Sequence, residues 1–240
     1  MKQFFLVLVL CLSLVGGSAF AAPLSNFADW TMIANDDGVA SDGYVAPGWG
    51  GQDFDAEYLF YKLEGSVLSI GLQTGFDVVD GVLTHGSKNY YAGDLAFSFD
   101  GDATNYEYAY DFGLYTESYY NKYSGEDEEG LYSVKEWSDD VYKDFTESNP
   151  FAMSSGDKVL SSESLSGYGT GEDGETSYYR MVSFDLVNIE GLSLSGLDVH
   201  WTMSCGNDAI DGSAPVPEPA TLILLGSGLA SLAFYRRKKK

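Results

Sequence analysis

Apolar and polar side chains alternate with a period of two along much of this chain. Leu68, Ile70 and Leu72 are separated by Ser69 and Gly71, and Leu95, Phe97 and Phe99 by Ala96 and Ser98. Tyr106, Tyr108, Tyr110 and Phe112 alternate with Glu107, Ala109 and Asp111. The same holds for Arg180, Val182, Phe184 and Leu186, and for Leu197, Val199, Trp201 and Met203. Successive strand residues point to opposite faces of a sheet, so each run predicts a half-buried strand. Tyr58-Leu59-Phe60-Tyr61 predicts one that is apolar on both faces. Glu64-Gly65-Ser66, Asp100-Gly101-Asp102 and Glu190-Gly191 punctuate the runs as turns. Helical spacing is confined to Trp137, Val141 and Phe145, two turns at most, where a covered loop fits as well. The Gly/Ser/Glu-rich stretch 161–177 reads as a long surface loop. Short strands joined by Gly/Asp/Ser turns point to an all-β, antiparallel β-sandwich of jelly-roll or lectin-like type, with a barrel as the second choice.

Both ends break this pattern. Met1-Lys2-Gln3, the apolar run Phe4–Val15 and the small-x-small triplet Ala19-Phe20-Ala21 have the layout of a secretory signal peptide, residues 1–21. The cut is expected after Ala21, with Ala22 as the alternative, which makes the Sec translocon and signal peptidase partners. At the other end stand Pro217-Glu218-Pro219, the apolar run 220–235, and the basic stop Arg236, Arg237, Lys238, Lys239 and Lys240. Sixteen residues make a helix of about 24 Å, short for a stable span. The basic end holds it with its C-terminus in the cytoplasm and the body outside. The expected organisation is therefore a signal peptide, an ectodomain over 22–214 and a C-terminal segment over 215–240 with a single transmembrane helix.

Removing the ends changes the charge. The whole chain carries −23, but residues 22–214 hold seven basic side chains against 35 acidic ones (36 less Glu218), a net −28. Such a body repels nucleic acid and anionic lipid and attracts cations. Carboxylates beside glycine turns supply oxygen ligands of the kind Ca²⁺ takes, with Asp100, Asp102, Asp208 and Asp211 as candidates. Asp36-Asp37-Gly38, Asp77 and Asp80-Gly81 belong to the same pattern, although Asp-Gly is equally a hairpin turn. No other cofactor is expected. His200, Cys205 and Asp208 form no recognised zinc spacing. Cys205, alone once the signal is removed, reads as a buried thiol. No Gly-x-Ser-x-Gly elbow occurs, and 35 acids neither select nor exclude a glycosidase pair. Eighteen tyrosines and four tryptophans, with tandem pairs at 90–91, 119–120 and 178–179, suit strands and also sugar faces.

The tail, with Pro217-Glu218-Pro219 followed by Ala220-Thr221, a short apolar segment and a basic end, resembles the PEP-CTERM sorting signal of Gram-negative bacteria that make exopolysaccharide. The resemblance implies processing by exosortase, a membrane enzyme with a cysteine nucleophile. It also implies passage through the inner membrane on a transient anchor, then a place on the cell surface or in the extracellular matrix. Segments 93–101 and 200–208 look like parts of β-rich ectodomains of exosortase-dependent proteins, a class that supplies no catalytic residues. The expectation is a non-enzymatic structural or glycan-binding protein associated with exopolysaccharide and biofilm. The alternatives are a secreted carbohydrate-active enzyme and a permanently anchored type I membrane protein.

Overall fold

The computed structural model describes residues 23–36, 38–39, 43–171, 174–192 and 194–215. The expected signal peptide (1–21), the expected transmembrane helix (220–235) and Pro217-Glu218-Pro219 lie outside this set. Among the described residues no helix is long and apolar enough to cross a membrane.

The protein is all-β, and every strand pairing is antiparallel. A five-stranded sheet contains β1 (Thr31–Asn35), β2 (Ala56–Glu64), β3 (Val67–Thr74), β12 (Leu165–Thr170) and β13 (Thr176–Asp185), ordered β1-β2-β3-β13-β12. A six-stranded sheet contains β6 (Leu95–Ser98), β7 (Tyr108–Asp111), β10 (Gly130–Ser138), β11 (Ala152–Leu160), β14 (Leu197–Thr202) and β15 (Ala209–Ala214), ordered β11-β10-β7-β6-β14-β15. Two small hairpins, β4 (Val82–His85) with β5 (Lys88–Tyr91) and β8 (Thr116–Glu117) with β9 (Ser124–Gly125), stand outside both sheets.

The alternating runs explain how the layers meet. Leu68, Ile70, Leu72, Val182 and Phe184 of the first sheet share one core with Leu95, Phe97, Tyr110, Val199, Trp201 and Ile210 of the second. This is the packing of a β-sandwich, each fully buried Leu or Phe contributing about 1.5–3 kcal/mol. Trp201 satisfies its indole N–H on the Gly93 carbonyl at 3.1 Å. On one side of the sandwich β1 leans against β15. A β-bulge in β1 falls at Ile33, between the paired residues Met32 and Ala34. Ile33 covers Gly212, where a Cβ would sit 2.9 Å from Ile33 Cγ1, so a larger residue there would part the two strands.

Both outer faces are covered, in different ways. On the first sheet Tyr58 and Phe60 point away from the core, and the N-terminal segment lies over them. Phe27 stacks on Phe60 with centroids 4.3 Å apart and meets Tyr179 edge-on at 6.0 Å. The Leu24 N–H donates to Gln73 Oε1 at 2.8 Å, tying that segment down. This cover is why 58–61 is apolar on both faces. On the second sheet the segment after β10 crosses the outer face. Tyr142 N–H donates to the Cys205 carbonyl at 3.2 Å and Ser148 Oγ to the Gly206 carbonyl at 2.9 Å.

Two sequence expectations are corrected. Residues 137–145 form no helix: Trp137 and Ser138 finish β10, paired with Met153 and Ala152, and the rest is the covering segment. Val141 and Phe145 are buried from that loop, which produces the four-residue spacing without a helix. The stretch 161–177 is no continuous loop either. It contains β12, paired with β13 from Leu165↔Met181 to Thr170↔Thr176. As a sheet edge, β12 exposes Leu165 and Tyr168, so its sequence lacks a buried stripe.

Candidate functional site

A hollow lies on the outer side of the six-stranded sheet. It has a volume of about 520 Å³ and is lined by the 103–106 turn, Trp137, Asp139, Glu147, Asn149, Pro150, His200 and Asp211. The β-pleat supplies its floor: His200 on β14 faces away from the core, directly opposite Asp211 on β15. His200 Nδ1 lies 2.8 Å from Asp211 Oδ1. Its Nε2 lies 3.1 Å from the Ser148 carbonyl and 3.0 Å from that of Pro150. Carbonyls only accept, so Nε2 carries the proton and donates to them. The ring is thereby a tie between sheet and covering loop, with neither nitrogen left for a metal.

Tyr106 lies against His200, with ring centroids 5.6 Å apart, and donates its hydroxyl to Asp211 Oδ1 at 3.1 Å. Burial, and then the Asp211 charge, hold the phenol protonated well beyond its ordinary range. Burial opposes ionisation of Asp211, but the bonds from His200 and Tyr106 outweigh it and hold its carboxyl below the usual carboxylate range. Asp139, across the hollow, is lifted by partial burial. Trp137 is fixed by its Nε1–H donating to the Tyr106 carbonyl at 2.9 Å. The hollow thus offers two aromatic side chains, two amides at Asn105 and Asn149, three carboxylates, and no basic side chain apart from the tied imidazole. That combination suits uncharged hydroxyl-bearing ligands and disfavours anions.

A second polar cluster lies between β1, β2 and β15. Asp36, Asp55 and Asp208 each place a carboxylate oxygen within 4.8 Å of the others. Asp208 accepts the Ala56 N–H and the Ala209 N–H, both at 2.8 Å. Burial, then the neighbouring Asp36 and Asp55, push its carboxyl up to about 9. An all-oxygen set of this kind is what a hard cation such as Ca²⁺ takes. Of the four Ca²⁺ candidates from the sequence, Asp208 alone belongs to it. Asp100 accepts from Ser98 Oγ and the Asp102 N–H, Asp102 accepts from Thr104, and Asp211 serves His200. The four are not brought together.

Cys205 is buried in the turn after β14, and burial pushes its thiol up to about 12, far from a reactive thiolate. His200, Cys205 and Asp208 make separate contacts and form no shared ligand set.

Residues 215–239 match the PEP-CTERM protein-sorting motif. The chain is a PEP-CTERM domain-containing protein. No curated protein and no solved structure matches it. The motif marks this PEP-CTERM chain as an exported protein sorted to the surface or extracellular space, and exosortase as the partner that recognises it. Pro217, Glu218 and Pro219, the basic residues Arg236, Arg237, Lys238, Lys239 and Lys240, and the signal-peptidase residues Ala19 and Ala21 lie outside the described residues.

The tandem tyrosines divide. Tyr178 and Tyr179 lie on β13 with opposite faces, Tyr178 beside Tyr168 and Tyr179 against Phe27. Tyr119 and Tyr120 sit in a turn rather than a strand, and Tyr91 packs on Tyr115. Sequence reasoning did not single out Trp137, Asp139, Glu147 or Asn149 for the hollow. They come from a strand end and an irregular loop, which have no periodicity to read.

Proposed function

We propose that this exported chain is a non-enzymatic surface or extracellular-matrix protein that binds a neutral glycan of the surrounding exopolysaccharide. The binding place is the Tyr106–Trp137 hollow on a lectin-like sandwich. The observation that carries the reading is the composition of that hollow: aromatic side chains, amides and carboxylates in about 520 Å³, with His200 tied to backbone carbonyls and Asp211. Aromatic faces cover the apolar face of a sugar ring, amides and carboxylates accept from its hydroxyls, and the −28 body disfavours acidic polysaccharide. In this reading the run 220–235 is a transient inner-membrane anchor, and exosortase removes it as the body moves outward.

Calorimetry with neutral and acidic oligosaccharides from the host matrix tests the binding. Neutral ones are expected to bind, and Trp137→Ala or Glu147→Ala to weaken them roughly 2- to 10-fold. Binding of acidic oligosaccharides alone, or equal affinity in both variants, overturns the assignment. Intact-mass measurement of the surface product tests the sorting: a mature form that keeps residues 220–240 rules out the processing step.

One observation favours a second reading, a glycosidase. In the same hollow Asp139 is lifted and Asp211 lowered, the separation that a general acid and its ionised partner require. Against it, Asp211 is already engaged by His200 and Tyr106. Hydrolysis of the bound glycan that Asp139→Asn abolishes while binding persists would establish the enzyme.

A further inference from the structure

A smaller hollow of about 200 Å³ opens beside the β4–β5 hairpin, and its wall is a hoop of aromatic rings. Each ring touches the next. Trp49 meets Phe145 at 5.2 Å, Phe145 meets Tyr142 at 5.3 Å, and Tyr142 meets Tyr119 at 5.2 Å. Tyr119 meets Tyr90 at 6.4 Å, and Tyr90 meets Phe54 at 5.3 Å. Gly50 closes the hoop. At φ +128° it holds a backbone shape that side chains rarely adopt, and a Cβ there would strike the Phe54 ring. Trp49 forms the open rim, 56% exposed, while Phe54 and Phe145 are buried at the base. The Trp49 carbonyl accepts from Asn207 Nδ2, and the Gly48 N–H donates to the Asn207 carbonyl at 2.7 Å, so the rim is held from below.

We propose that this hoop binds a quaternary or methylated ammonium group. Adjacent rings tilt by 37° to 83°, so the walls face a central guest from several directions. That surrounds a compact, near-spherical cation with π faces, whereas a flat pyranose asks for one broad platform. The lining contains no Lys, Arg, Asp or Glu. Besides its rings the wall holds only His85, Asn207 and the tyrosine hydroxyls as polar groups, so a guest with no hydrogen to donate meets no charged partner it must satisfy. The fold already uses three of these rings in this way from outside the lining: Lys88 Nζ lies 3.2 Å from the Tyr119 ring centroid and 6.0 Å from that of Tyr90, and Lys143 Nζ lies 5.8 Å from that of Tyr142. The field also favours a cation. The body carries −28. This hoop is separate from the glycan hollow, and neither inference depends on the other.

The test is titration of the purified chain with choline chloride and with its neutral isostere 3,3-dimethylbutan-1-ol, followed by calorimetry and tryptophan fluorescence. Choline is expected to bind saturably and roughly tenfold or more tighter than the isostere, the margin of a desolvated cation–π contact. Trp49→Ala is expected to abolish that preference. Its site is a rim position, and an unchanged melting curve shows that the fold has survived. Trp137→Ala, in the other hollow, leaves choline binding unchanged. Equal binding of the isostere overturns the proposal, as does absence of saturable choline binding or displacement of choline by a neutral monosaccharide. Once choline binds, co-sedimentation with phosphatidylcholine vesicles separates a lipid headgroup from a free solute as its source.

Discussion

The two sheets bury their outer faces with opposite chemistry. On the five-stranded sheet the cover is apolar: Phe27 and Leu24 lie on Tyr58 and Phe60, with Trp30, Tyr179 and Met181 around them. The polar groups there are used internally, as Gln52, Gln73 and Ser177 all donate to the Glu57 carboxylate. On the six-stranded sheet the covered face holds Asp94, Asp111, Asp198, His200 and Thr202, each less than a tenth exposed. Burying such groups is costly unless they are bonded, so a face assembled from them is poor value as mere packing. The apolar seal stabilises the sandwich. The polar face positions a loop and a hollow.

Phe27→Ala breaks the comparison at its strongest point. It removes the ring that touches Phe60, Trp30 and Tyr179, and should cost about 3–5 kcal/mol in urea unfolding. Glycan affinity of the folded fraction should not change. A parallel loss of affinity would mean that the two faces are not independent. His200→Ala tests the other face. It strands the carbonyls of Ser148 and Pro150 and frees Asp211, so a loss of about 2–4 kcal/mol is expected. Here glycan binding should fall with it, because the 147–150 segment lines the hollow. Full affinity in this variant would detach the site from the tie.

The smallest effect is one of pH. Burial lifts the Asp111 carboxyl to about 6; the Gly113 N–H bond opposes this and the charge of Asp127 supports it. The unfolded carboxyl ionises near 3.9. Because the folded value is the higher one, the contribution of Asp111 is fully present below the unfolded value and is lost as pH rises to about 6. Asp111→Asn keeps an acceptor for the Gly113 N–H. It should stabilise the protein on the order of 1–3 kcal/mol at pH 7 relative to its effect at pH 3. Chemical unfolding at the two values reads the difference, and a pH-independent effect would show that the Asp111 carboxyl titrates alike in the folded and unfolded chain.

What the sequence made legible follows from the same contrast. The core strands β3, β6, β13 and β14 announced themselves because one face of each is apolar and continuous. The apolar run 58–61 was legible as a strand, but not its cover, since nothing local says that residues 24–30 return to it. β10 and β11 were missed because Glu136, Lys135, Asp157 and Lys158 interrupt them, leaving Leu131, Tyr132, Ala152 and Met153 buried only at one end of each strand. β15 was missed because Gly212 interrupts it for the sake of Ile33. Of the hollow, His200 and Asp211 were noticed as residue types, but their union depends on the β14–β15 register. The sorting motif was readable, because a sorting signal is addressed to another protein and has to be written locally.

The contact of Ile33 with Gly212 also orders events in time. A chain exported N-terminus first delivers β1 early and β15 last, with about 175 residues between the two strands. Until β15 emerges, the bulge in β1 has nothing to close against and one side of the sandwich stands open. The sorting motif begins at residue 215, immediately after the strand that completes the fold. A chain presented for sorting is therefore one whose final strand has already been delivered.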